Sequence, residues 1–287
     1  MPLSSIMKKF FRVLWLKKDS YHKRLLTNRK EEIMRFFKIF TLCLIVTSFI
    51  TTSLWAVETQ VTIRAKAHDA KFIGTSMGGV AVTIRDTLTN QLLDQGLITG
   101  GTGNTDILLT TPVSRNQQIS EGGAAAFTTS LDIDEPTQIE ITVAGPLVAG
   151  TVASTQSKTV WLIPGHHLDQ DGIVFEFYGL VVQAQAPLPN QKVEVGETIQ
   201  LKAFVTMMCG CPIEKDSLWP SDTFSVAAYI INDAGKSWQI DLPFNGKTGE
   251  FSTSWTVKDA DIYRVIFSAS EDHQNNHGVT YSGFSAK

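Results

Sequence analysis

Thr198–Met208 reads TIQLKAFVTMM, and its alternation decides the fold. Ile199, Leu201, Ala203, Val205 and Met207 fall on one side of an extended chain; Gln200, Lys202, Phe204, Thr206 and Met208 fall on the other. Side chains of a strand alternate with period two, so this run is a strand with one face turned to a core. Phe224–Ile231 and Tyr263–Ala269 repeat the theme downstream. Upstream, Val61, Ile63, Ala65 and Ala67 alternate with Thr62, Arg64, Lys66 and His68, which predicts a half-buried strand. Val80-Val82-Ile84, Ile139-Ile141-Val143 and Val160-Leu162 follow the same period, with Gly, Asn, Asp and Pro clusters between them. No helix-period segment of useful length interrupts the series after residue 56. The predicted class is all-β: two antiparallel β-sandwich domains in tandem after an N-terminal export signal.

The division into two rests on Ala184-Gln185-Ala186-Pro187-Leu188-Pro189-Asn190, whose prolines cannot donate to a central ladder and suit a kinked edge or a linker. The expected organisation is a leader and signal over 1–56, one sandwich over 57–180 and a second over 181–287. In the second, Val193-Glu194-Val195-Gly196-Glu197, an alternating strand and then Asp259-Ala260-Asp261-Ile262-Tyr263-Arg264-Val265 resemble an immunoglobulin-like sandwich with its tyrosine corner. Ala203 or Val205, and Val265, stand where that family carries an inter-sheet cystine. The first series, with Gly79-Val80-Ala81-Val82-Thr83-Ile84 and a turn at Leu88-Thr89-Asn90-Gln91, resembles transthyretin-like, carboxypeptidase-regulatory-like modules of bacterial exported proteins. Such sandwiches host adhesion, carbohydrate binding, chaperoning and metal handling, so neither resemblance implies one activity.

Ile39–Ala56 is an uncharged, mostly apolar run preceded by Arg35 and Lys38, which predicts export, with Ser53 or Ala56 as the cleavage residue and Met34 as the true start. An uncleaved anchor is the alternative, because the run is about the minimum length that spans a bilayer. Residues 1–56 hold eleven of the 25 Lys and Arg and three of the 28 Asp and Glu, so the remainder is net −11. That balance opposes nucleic acid and anionic membrane surfaces, where cationic side chains supply most of the affinity. The expected location is secreted or periplasmic, with no stable membrane insertion after cleavage. Cys43 departs with the signal, leaving two cysteines, too few for a disulfide-built scaffold.

Those two lie in Met207-Met208-Cys209-Gly210-Cys211-Pro212-Ile213. Gly210 permits backbone angles closed to other residues and Pro212 ends the ladder, so the thiols can turn toward each other. In an extended strand their Cα atoms would stand about 6.7 Å apart, near the limit for a disulfide, so a bridge needs a turn. Three readings stay open: a disulfide, a Cu(I)-type site of thiolates with nearby thioethers, and free or redox-active thiols. The metal reading collects Cys209, Cys211, Met207 and Met208. To these it adds His273 and His277, because the loop after the second strand and the loop between the last two share a pole of an immunoglobulin-like sandwich.

Other candidates reduce to structure. Gly100–Thr105 (GGTGNT) lacks the P-loop lysine and reads as a loop. His166–Gly172 (HHLDQDG) lacks calcium-loop spacing and reads as a polar hairpin before Ile173. Asp132-Ile133-Asp134-Glu135-Pro136 reads as a solvated turn, and Trp161, Phe175, Phe177 and Tyr178 as core unless they form a sugar platform. The resulting expectation is an exported, non-catalytic binding protein with a soft-metal loop, copper being the metal. The alternative is a protein- or glycan-interaction module in which Cys209 and Cys211 form a structural disulfide. Thiol-disulfide exchange is the nearest enzymatic reading, with Lys215 the only nearby cation to lower a cysteine pKa.

Overall fold

Fifteen strands build two facing pairs of sheets along residues 57–286. The structure is a computed structural model that describes residues 34–35 and 55–287. The leader, the apolar run up to Leu54 and Cys43 lie outside the described residues. No helix among the described residues is long and apolar enough to cross a membrane.

The first series comprises β1 (Val57–Ala67), β2 (Val80–Asp86), β3 (Leu92–Ile98), β4 (Phe127–Ile133), β5 (Thr137–Gly145), β6 (Ser154–Leu162) and β7 (Leu168–Phe177). They form a three-stranded sheet in the order β4-β1-β7 and a four-stranded sheet in the order β3-β2-β5-β6. Val61, Ile63, Val82, Ile84, Ile139, Ile141 and Phe175 meet between the sheets and are buried. The open edges are covered by side chains. Gln156 Nε2 and Lys158 Nζ from β6 donate to the carbonyls of Glu176 and Val174 on β7, at 2.7 and 2.5 Å. On the opposite side Thr129 Oγ1 donates to Asp94 Oδ2 at 2.5 Å. Covering unpaired edge groups in this way blocks them from templating another chain.

Two expectations for this half need correction. The strand at Val61 is buried on both faces, Thr62 and Arg64 included, because the chain at Ala124 and Ala125 lies against its outer face. Arg64 Nη1 donates to the carbonyls of Ala124 and Ala125 at 2.8 and 2.9 Å, and Nη2 to that of Gln170 at 3.2 Å. Burial pulls the Arg64 pKa down while the nearby Asp171 opposes the shift. Residues 166–172 form no hairpin joining β6 to β7, since those strands belong to opposite sheets: the chain crosses at residues 163–167, and Leu168 onward is already β7, paired with β1. The Asp171 carboxylate accepts from the amides of Ile119 (2.9 Å) and Ser120 (2.8 Å), pinning the covering segment.

The second series comprises β8 (Leu180–Ala186), β9 (Gln191–Val193), β10 (Thr198–Met207), β11 (Phe224–Asn232), β12 (Ser237–Asp241), β13 (Glu250–Thr256), β14 (Ile262–Glu271) and β15 (His277–Ala286). The sheets run β13-β10-β8 and β12-β11-β14-β15-β9. This is the strand order of an immunoglobulin-like sandwich, and the Tyr263 hydroxyl donates to the Asp259 carbonyl at 2.8 Å, the geometry of a tyrosine corner. Burial pushes the Tyr263 hydroxyl pKa up. Ala203, Val205 and Val265 are buried where a cystine would otherwise link the sheets. The Pro187 segment is the kinked edge: the Ala186-Pro187 bond is cis, and the chain passes there from β8 in one sheet to β9 in the other. Most pairings are antiparallel; β1 with β7 and β15 with β9 run parallel.

Only Tyr178 and Gly179 separate β7 from β8, and residues 56–287 form one compact unit. Buried residues of both series belong to one continuous cluster.

Candidate functional site

The loop at Cys209 lies where the two sandwiches meet. Gly210 N donates to the Met207 carbonyl at 2.8 Å and Thr206 Oγ1 to the Cys211 carbonyl at 2.7 Å, closing a tight turn. Gly210 takes a φ of +79°, and a side chain there would meet Met77 Sδ of the first sandwich at 2.7 Å. With that turn the Cα atoms of Cys209 and Cys211 stand 5.4 Å apart and the sulfurs are bridged. Both cysteines, Met207 and Met208 are buried. His273, on the loop between β14 and β15, and His277, the first residue of β15, are exposed. This loop shares a pole with the cysteine loop's connection to β11, for Asp272 N donates to the Thr223 carbonyl at 3.1 Å. Among the described residues no three His, Cys, Asp or Glu side chains converge as a metal-binding group.

The same junction carries a polar cluster without a clear sequence signature. Asn276 is fully buried; its Oδ1 accepts from Gly179 N at 2.9 Å and its Nδ2 donates to Glu271 Oε2 at 2.9 Å. Burial raises the Glu271 pKa and Asp69 adds to the rise, while Asn276, His68 and His273 oppose it. Trp219 Nε1 donates to the Asp69 carbonyl at 3.0 Å, and His68 stacks on Tyr178 with ring centroids 4.0 Å apart.

A row of outward-facing aromatic and aliphatic side chains lies elsewhere, on the outer face of the five-stranded sheet. On β14, Tyr263, Val265, Phe267 and Ala269 point inward and are buried, which turns Ile262, Arg264, Ile266 and Ser268 outward. Cross-strand register places Tyr229 opposite Ile266 and Ile266 opposite Tyr281, giving one row across three strands. Tyr229 is 38% exposed and Tyr281 55%; Val279 and Ile262 beside them are also exposed. Directly paired residues on one sheet face stand within side-chain contact distance, so the row is an aromatic-aliphatic-aromatic strip. Next to Tyr281 a groove of about 440 Å³ runs over Gly283, walled by Ile262, Pro189, Asn190 and Lys192. Period-two reading marks Tyr229, Ile266 and Tyr281 only as outward residues of separate strands; their alignment depends on register. Of the four aromatics considered as a sugar platform, Phe175 and Phe177 are core, Trp161 is 60% exposed, and Tyr178 is exposed but engaged with His68.

No protein-family model matches the chain. No curated protein matches it. Among solved structures, an engineered protein is similar at 15% identity and a TM-score of 0.29, over 44% of this chain and 24% of that one. This chain therefore spans about a quarter of that protein's length. The chicken interferon gamma receptor alpha chain is similar at 12% identity and a TM-score of 0.28, over 80% and 97% of the two chains. The titin domains Z1Z2 in complex with telethonin are similar at 11% identity and a TM-score of 0.23, over 81% and 96%. The immunoglobulin-like layout of residues 180–286 rests on strand order and the Tyr263–Asp259 hydrogen bond.

Proposed function

We propose that this protein is an exported, non-catalytic protein-interaction module whose contact surface is the outer face of β11, β14 and β15. One observation carries the reading: the exposed Tyr229 and Tyr281 flank the half-buried Ile266 in a single outward-facing row on a regular sheet. Aromatic residues clustered at the centre of a contact surface supply most of its affinity, and Arg264 at the margin supplies a polar rim. In this reading the Cys209–Cys211 bridge is a structural staple that shapes the turn resting on Met77. Bridged sulfurs are poor soft-metal ligands, so the copper reading applies only to a reduced chain, in which Cys209, Cys211, Met207, Met208, His273 and His277 are the set to test. For the first sandwich, seven strands in two facing sheets support the transthyretin-like layout.

The test is site-specific photocrosslinking in the exported fraction of the source cells. A photoreactive group at position 281 should capture a protein that the same group at the exposed position 161 does not, and Tyr229→Arg should abolish the capture. Equal capture from both positions, or capture indifferent to Tyr229→Arg, refutes the surface.

A further inference from the structure

Asn245 and Gly246 stand at the tip of the connection between β12 and β13, where every residue from Asn245 to Thr248 is exposed. No other asparagine of the sequence precedes a glycine. The tip is organised around the Asn245 side chain. Its Oδ1 accepts from Lys247 N at 3.0 Å, and its Nδ2 donates to Glu250 Oε2 at 3.1 Å and to Ser252 Oγ at 3.3 Å. An asparagine oxygen bonded to the amide two residues on folds its side chain back along the backbone. Cγ is thereby turned toward the intervening nitrogen, Gly246 N, which makes no hydrogen bond among the described residues. Gly246 has a φ of +88°, and nothing lies within 4 Å of where a side chain would begin, so that nitrogen is unshielded. Asn276 is the contrast, being fully buried and followed by His277.

We propose that Asn245 is a self-modification site, at which the folded chain converts its own side-chain amide to a carboxylate through a cyclic imide. Gly246 N gives its proton to solvent and attacks Cγ, which closes the imide ring. The Cγ–Nδ2 bond breaks, and Nδ2 takes a proton from solvent and leaves as ammonia. Water then opens the ring. Addition at Cγ leaves aspartate, while addition at the backbone carbonyl carbon leaves isoaspartate, whose main chain is longer by a methylene. Nothing is oxidised or reduced, and water is the sole co-reactant. Ring closure of this kind is governed by how well the reacting atoms are held together, which the bond from Lys247 N secures. The Glu250 carboxylate, paired with Lys202 at 2.8 Å, stabilises the positive charge that Nδ2 gains as it is protonated to leave. The product sets carboxylates side by side at 245 and 250 and removes the donor that Glu250 and Ser252 share. Like charges opposed across neighbouring chains weaken the pairing, so the tip loosens as the molecule ages.

The test incubates the full chain, its disulfide intact, at neutral pH and physiological temperature and maps its peptides by mass over time. The peptide containing Asn245 should gain the mass difference between an amide and an acid and separate into aspartate and isoaspartate forms. Peptides containing Asn90 and Asn190, exposed but each followed by glutamine, should stay unchanged. The folded chain should convert about threefold faster than the same chain unfolded in guanidinium, because only the fold holds Cγ toward Gly246 N. Gly246→Ala should slow conversion by about tenfold, since alanine avoids this φ and shields the nitrogen. Glu250→Gln should slow it by about threefold. Asn245→Asp should reproduce the faster proteolytic cleavage between Phe244 and Glu250 expected of the aged chain. Three results overturn the proposal: no mass change at Asn245; conversion no faster in the folded chain than in the unfolded one, which would mean that Glu250 and Ser252 protect the amide; or equal conversion at Asn190 and Asn245.

Discussion

Asn276 reaches from the second sandwich to the first, its Nδ2 donating to the carbonyl oxygen of His68 at 3.3 Å. The same side chain satisfies Gly179 N and Glu271 Oε2, and no solvent reaches it. Removing it strands a buried N–H and a buried carboxylate oxygen together. Asn276→Ala should therefore cost about 2–4 kcal/mol, above the ordinary loss of one hydrogen bond. Chemical denaturation of the variant measures this, and a loss near 0.5 kcal/mol or less would show that water replaces the side chain at the junction.

Glu271 gives the junction a pH dependence of definite sign. Burial is the leading cause of its raised pKa, with the Asp69 charge adding to it and His68 and His273 opposing. A group whose pKa is higher folded than unfolded contributes stability at pH below its unfolded value, and that contribution is lost as pH rises through the folded value. At neutral pH the buried charge of Glu271 is accordingly a burden. Glu271→Gln should raise the neutral-pH melting temperature relative to the parent, with the difference closing as pH falls into the ordinary carboxylate range. A variant less stable than the parent at neutral pH, and more nearly equal in acid, would show that the two histidines hold the carboxylate charged.

The all-β class and the Tyr263 corner were legible because each depends on residues close in sequence: an alternating run and the four-residue step from Asp259. The burial of Arg64 was not legible. Its position in β1 assigns it to a polar outer face, and only the chain at Ala124 and Ala125, distant in sequence, puts that face inside. Residues 166–172 misled for a related reason, since strands adjacent in sequence normally pair and these two belong to opposite sheets. For Cys209 and Cys211 the need for a turn was readable from Gly210, whereas their burial against Met77 depends on how the second sandwich meets the first.

The bridge itself is open to direct weighing. The purified chain should be about two mass units lighter than its reduced form, because bridging removes two hydrogens. Without reduction it should take up no Cu(I), and Cys209→Ser with Cys211→Ser should leave partner capture at position 281 intact. Stoichiometric copper in the isolated, unreduced protein would reverse this and restore the soft-metal reading.

Arg64 and Asp171 hold the covering segment as a unit, and their variants should behave as one. The guanidinium spans the carbonyls of Ala124, Ala125 and Gln170, while the carboxylate gathers the amides of Ile119 and Ser120 on the same segment. A lysine ammonium at position 64 cannot match three acceptors set for a planar fork. Arg64→Lys should therefore lose about 2–4 kcal/mol, as should Asp171→Asn, which leaves the guanidinium without its nearest opposing charge. Once either partner is gone the segment is already loosened, so the double variant should lose less than the sum of the singles by about 1 kcal/mol or more. Both single variants should also speed proteolytic cleavage within residues 99–126 without exposing sites in β10 or β14. Additive losses, or cleavage spread evenly over both sandwiches, would mean that the two side chains act independently and that the segment is held instead by backbone bonds such as those from Phe72 N to the Thr102 carbonyl and from Thr75 N to the Gly100 carbonyl.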